Sequence, residues 1–114
     1  MTEVQQDLED MRMAATAKAL GHPARLRILR LLARTPGCIG GDIVEAVGLA
    51  QSTVSKHLAC LRDCGLVQSQ PQGRASVFSL TLGVPVRDVL AAAERVLVAT
   101  GEAVTDCPTA GGHR

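Results

Sequence analysis

The sequence predicts a mainly α-helical domain with one small β-hairpin, and three observations carry that prediction. Apolar residues recur at helical spacing in several stretches. Alternation with a period of two is confined to one stretch, LVQSQPQGRASVFSL, which folds back at Gln72 and Gly73. No repeat, low-complexity tract or linker divides the chain, so its 114 residues read as one domain, 1–114. With 46% apolar residues and Phe78 as the only aromatic, the core must be built from Leu, Val, Ala and Ile. A domain of this size buries a modest share of its surface, which makes a homodimer the expected state.

Taken in order, residues 4–19 form a first helix with Leu8, Met11, Ala15 and Leu20 three to five apart, ended by Gly21 and His22. Pro23 suits the first turn of a second helix, PARLRILRLLART, which stops before Pro36 and Gly37. A short third helix covers about Gly41 to Val47, and a turn at Gly48, Leu49 and Ala50 leads into a fourth helix, 51–64. Gly65 stands where a left-handed cap is expected. The hairpin, 66–80, has Gln72, Gly73 and Arg74 at its tip. Pro85 opens a last helix, 85–100, with Val86, Val89, Leu90, Ala93, Val96, Leu97 and Thr100 in a near-heptad stripe. The remaining residues, 101–114, read as a flexible tail.

Helix, short turn with glycine, helix, then a basic hairpin is the pattern of a winged helix-turn-helix. On the fourth helix Val54, Leu58 and Leu61 share one stripe and bury it. Gln51, Ser52, Thr53, Ser55, Lys56 and His57 are left to reach base edges or phosphates in a major groove. Arg74 at the wing tip is placed for backbone phosphate. The bland alternative, an ordinary solvated helix face, is weakened by the turn before it and the basic wing after it.

The overall charge of +1 hides an uneven distribution. From Arg12 to Arg74 nine Lys or Arg stand against Asp42, Glu45 and Asp63, a balance of +6, whereas the first eleven residues carry four acids and no base. A basic body with acidic ends suits DNA. The acidic start lacks the features of a secretory signal, and VLAAAERVLVA is too short and too charged to span a membrane, so a cytoplasmic location is expected.

In a reducing cytosol Cys38, Cys60, Cys64 and Cys107 are more plausibly thiols, metal ligands or redox sensors than disulfides. Cys60 and Cys64, four apart on a helix, are neighbours able to share one ion, and they lie off the core stripe. Free cysteine is otherwise usually a small buried hydrophobe. Two thiolates make a weak site, and the tail offers Cys107 as a third. Three sulfurs suit Cd(II) and Pb(II), or a pyramid around As(III) or Sb(III), whereas structural Zn(II) normally takes four ligands. Cys38 is a possible fourth ligand or a buried residue at the start of the third helix.

Three motifs, ALGHPARLRILRLL, GLAQSTVSKHLACLRDCGLV and GRASVFSL, in this order, resemble the ArsR/SmtB family of metal-sensing repressors over nearly the whole chain. The resemblance implies a winged helix-turn-helix homodimer, paired through its first and last helices, that leaves its operator when an inducer binds. The cysteines of STVSKHLACLRDCGLV, with one more in the tail, resemble the CmtR branch, the Cd(II) and Pb(II) sensors. That likeness implies Cys60 and Cys64 as ligands from one subunit and Cys107 as a ligand from its partner. Two departures narrow the choice. Cys38-Ile39-Gly40 stands where a Cys-x-Cys pair marks other arsenic and cadmium sensors, and the last helix has no histidine for the zinc site of the SmtB-like branch.

The function so predicted is a repressor released from operator DNA by a thiophilic ion, with no membrane or small organic substrate involved. The rival on the same fold is a thiol redox or reactive-sulfur sensor working through Cys38 and Cys107. An enzyme is disfavoured because neither a Cys-x-x-Cys pair nor a Ser, His and Asp set is present. A metal-storage protein leaves the helix-turn-helix unexplained.

Overall fold

A computed structural model describes residues 2–101 and 103. Its elements are α1 (Glu3–Leu20), α2 (Pro23–Arg34), β1 (Cys38–Ile39), α3 (Gly40–Val47), α4 (Gln51–Asp63), β2 (Val67–Gln72), β3 (Ala75–Leu80) and α5 (Gly83–Thr100).

Local chemistry fixes the helix ends. Thr2 and Gln5 form a capping box at α1: the Gln5 amide donates to Thr2 Oγ1 at 3.1 Å and the Thr2 amide to Gln5 Oε1 at 2.9 Å. At α2, Pro23 takes the first helical position, and His22 caps the helix by accepting the Ala24 amide on Nδ1 at 3.1 Å. Gly48 closes α3 and Gly65 follows the cap of α4, both at positive φ (75° and 79°), a region open to glycine at little cost.

The core sits around α2, whose Ile28, Leu29 and Leu32 are buried against Ile43 and Val47 of α3, Val54, Leu58 and Leu61 of α4, Val67, and Val86 and Leu90 of α5. Phe78 is half-buried at its edge. The Arg87 guanidinium donates twice to Ala33 O, at 3.0 and 2.8 Å, tying α5 to the carbonyl end of α2. In contrast, α1 buries only Ala19 and leaves Val4, Leu8, Met11 and Met13 in solvent. Along α5 Val89, Val96, Leu97 and Val98 are likewise exposed.

The sheet has three strands in the order β1-β3-β2, all antiparallel. Register runs from Val67 opposite Leu80 to Gln72 opposite Ala75, leaving Gly73 and Arg74 as a two-residue loop. Gly73 has φ 63°, the pattern of a turn with glycine first. The strand β1, which pairs Cys38 with Phe78 and Ile39 with Val77, adds to the two-stranded hairpin expected from the sequence. Two residues are too short to show a period, and their pairing depends on β3, some forty residues further along the chain. Helix α5 also begins two residues earlier than expected, at Gly83. Pro85 thereby falls in the first turn, where its missing N–H costs nothing. Among the described residues no helix is long and apolar enough to cross a membrane.

Candidate nucleic-acid interface and metal centre

Helix α4 has three working faces, set by its rotation of about 100° per residue. Val54, Leu58 and Leu61 are buried and anchor it to α2. Roughly opposite them lies the exposed ridge of Ser52 and Lys56. No acidic side chain among the described residues pairs with Lys56, since Arg30 and Glu94 form the one ion pair there. Gln51 and Ser55 are exposed on a flank that borders a groove of about 460 Å³ with Gly40, Val44, Arg62 and Phe78. Arg62 joins this flank to the wing by donating to Ser69 Oγ at 3.3 Å. Arg74 is exposed at the tip of the wing.

The other flank carries Thr53, His57, Cys60 and Cys64 and faces the start of α2. Thr53 and His57 are half-buried. The His57 ring lies 4.5 Å from that of His22, tilted by 48°, so tertiary packing turns it toward α2. Burial first, then the neighbouring His22 and Arg25, hold the His57 pKa below its ordinary value.

Cys60 is half-buried and Cys64 exposed at the helix cap. Cys64 has its pKa raised, first by loss of water around the thiol, then by the charge and hydrogen bond of Cys60, with Asp63 adding and Arg25 opposing. The two thiols are neighbours one turn apart on this flank, as their four-residue spacing predicts. Arg25, which the sequence reading did not single out, donates through Nη1 to Cys60 Sγ at 3.8 Å. Its only sequence signal is a place one turn after His22 in the opening of α2.

Cys38 is buried in β1, and burial, followed by the charge of Asp42, pushes its thiol pKa up. Among the described residues no group of three His, Cys, Asp or Glu side chains is gathered to hold an ion. Cys107 and the tail beyond residue 103 lie outside the described residues.

The donor chemistry still fits a soft metal. Two neighbouring thiols on an accessible flank, beside the Arg25 guanidinium, supply part of a thiolate site. A three-helix body, an outward polar ridge on α4 and a basic wing define a winged helix-turn-helix regulator.

Comparison with known proteins agrees. Residues 22–69 match the model of the bacterial regulatory protein, arsR family. The transcriptional regulator YgaV of Escherichia coli K12 is 42% identical over 67 residues, covering 59% of this chain and 68% of YgaV. The transcriptional regulator CmtR of Mycobacterium tuberculosis is 38% identical over 113 residues, covering 86% of this chain and 92% of CmtR. The solution structure of CmtR, described as a cadmium metal sensor, superposes with a TM-score of 0.61 at 36% identity over 73% of this chain and 85% of that one. The homodimeric winged helix-turn-helix Mb0332 of Mycobacterium bovis gives a TM-score of 0.66 at 26% identity, covering 100% of this chain and 96% of that one. The chain belongs to the ArsR family of bacterial transcriptional regulators, which are DNA-binding proteins and not enzymes.

Proposed function

We propose that this regulator is a cytoplasmic homodimeric repressor released from its operator by a thiophilic ion, Cd(II) or Pb(II), held by Cys60, Cys64 and Cys107 of the partner subunit. The observation that carries the proposal is the pair of thiols one turn apart on the α2-facing flank of the recognition helix, off the core stripe, with Arg25 of α2 reaching Cys60. The cadmium-sensing relative supports the choice of ion. The same donors would also accept As(III) or Sb(III), and less readily Zn(II).

Lys56 precedes Cys60 by one helical turn, so the outward ridge that carries it adjoins the flank on which Cys60 and the capping Cys64 lie. A divalent ion on three thiolates supplies a cross-link and a net charge of −1. Lys56 then faces that charge as well as the phosphates it serves, which weakens its hold on DNA. The thiols also distinguish two conformations: if their third partner is reached only away from the operator, ligation favours the unbound form.

Dimerisation rests on the apolar residues left open on α1 and α5, among them Leu8, Met11, Val96 and Leu97. An 18-residue helix burying only Ala19 gains little from its own chain and needs a partner surface. The burial of Cys38 supports the metal reading over the redox one, which requires that thiol to react.

Operator-bound protein titrated with Cd(II), Pb(II), Zn(II), As(III) and Sb(III) tests the proposal. Cd(II) or Pb(II) is expected to displace the protein at the lowest concentration. Retention of DNA under all five ions would sink it, and release by As(III) or Sb(III) alone would reassign the inducer.

A further inference from the structure

We propose that Arg25 is a positioning residue for the thiol pair, linking the Cys60 sulfur to the carbonyl end of α1. The inference rests on the reading of Cys60 and Cys64 as ligands and adds a connection which that reading lacks.

Arg25 is half-buried in the first turn of α2, and its guanidinium serves two elements at once. Nε donates to Ala19 O at 2.7 Å and Nη2 to Lys18 O at 2.9 Å. Nη1 donates to Cys60 Sγ at 3.8 Å. Lys18 and Ala19 lie in the last turn of α1, where carbonyls lack the usual helical partner and the helix dipole favours a cation; Lys18 O also accepts the capping Gly21 amide at 3.1 Å. No carboxylate among the described residues shares this guanidinium. Its charge is therefore answered by backbone oxygens on one side and by sulfur on the other.

A guanidinium is planar, so the directions of its donors are fixed relative to one another. With two donors on α1, the third has little freedom, and the sulfur it meets is held at a set angle to that helix. Once Cys60 ligates as a thiolate, the contact becomes charge-assisted and stronger. Outer partners of this kind orient a ligand and tune its affinity. Here the outer partner is itself anchored to α1, the helix whose exposed Leu8, Met11 and Met13 await a second subunit. Arg25 thus connects ligation on α4 with the pairing helix.

The test compares Arg25→Gln, Arg25→Lys, Cys60→Ala and the Arg25→Gln, Cys60→Ala double variant. In thermal melts of the metal-free protein, the midpoint shifts of the two single variants are expected to exceed their combined effect in the double variant. Strict additivity would show that the contact does not exist. In Cd(II) titrations followed by thiolate-to-metal absorbance, Arg25→Gln is expected to weaken affinity about 10- to 100-fold while keeping the wild-type stoichiometry. At equal occupancy it should also release less DNA. Arg25→Lys keeps the charge but not the fork; it is expected to retain the fold and recover only part of the affinity, so the comparison survives if Arg25→Gln does not fold. Wild-type affinity and release in both Arg25 variants, with Cd(II) binding lost in Cys60→Ala, would overturn the role of Arg25 alone. Wild-type Cd(II) binding by Cys60→Ala would overturn the ligand assignment and this inference with it.

Discussion

Lys56→Gln isolates the electrostatic part of DNA binding. Lys56 is exposed on the outward ridge of α4 and has no acidic partner among the described residues, so its charge is available to phosphate. Its removal deletes one neutralised phosphate per subunit, two per dimer. Each neutralised phosphate contributes about 0.9 to the slope of log K against log salt, so the slope should become shallower by about 1.8. Between about 50 and 200 mM salt the wild type should then lose roughly twelvefold more affinity than the variant. Fluorescence anisotropy on a labelled duplex, repeated across that range, measures both slopes, and a non-specific duplex suffices because this contribution ignores sequence. Arg34→Gln serves as the control, since Arg34 lies beside Arg87 and Leu90 on the α5 side of the body. An unchanged slope for Lys56→Gln would refute the placement of the ridge in the groove.

Three other predictions concern stability and assembly. Leu61→Ala empties a fully buried position between α4 and α2 and should cost about 2–5 kcal/mol, read as a lower midpoint in thermal or urea unfolding; a loss below about 1 kcal/mol would contradict that packing. Leu97→Glu puts a charge on the exposed stripe of α5 and should shift the protein from dimer to monomer in sedimentation, whereas an unaltered dimer would exclude that stripe from the interface. His57 titrates below its ordinary value in the fold, so the unfolded chain takes up its proton first as pH falls. Its contribution to stability is therefore complete above the ordinary histidine range and is lost as pH drops from there through the depressed folded value. The midpoint should fall between about pH 7.5 and 5.5, and by less in His57→Gln; equal falls in both would rule out His57 as a source.

The sequence disclosed those features that depend on local periodicity. The Val54, Leu58 and Leu61 stripe was readable because 3.6-residue spacing alone places it, and the same geometry set Cys60 and Cys64 off the core. The glycine at the end of α4 and the two-residue wing tip follow from backbone preferences of single residues. Features that depend on the meeting of distant segments were not readable. Strand β1 exists only because Cys38 and Ile39 find Phe78 and Val77. His57 reads as groove-facing on a lone helix, but α2 brings His22 against it. Arg25 carries no motif for sulfur; its contact with Cys60 spans 35 positions and follows from the packing of α2 on α4.

The link between thiols and operator is tested most directly by following Cd(II) absorbance and DNA anisotropy in one cuvette for the wild type, Cys60→Ser and Cys64→Ser. In the wild type the thiolate-to-metal band should grow in step with release, and each variant should bind the operator normally yet stay on it as Cd(II) is added. Release of either variant at the wild-type Cd(II) concentration would contradict the account.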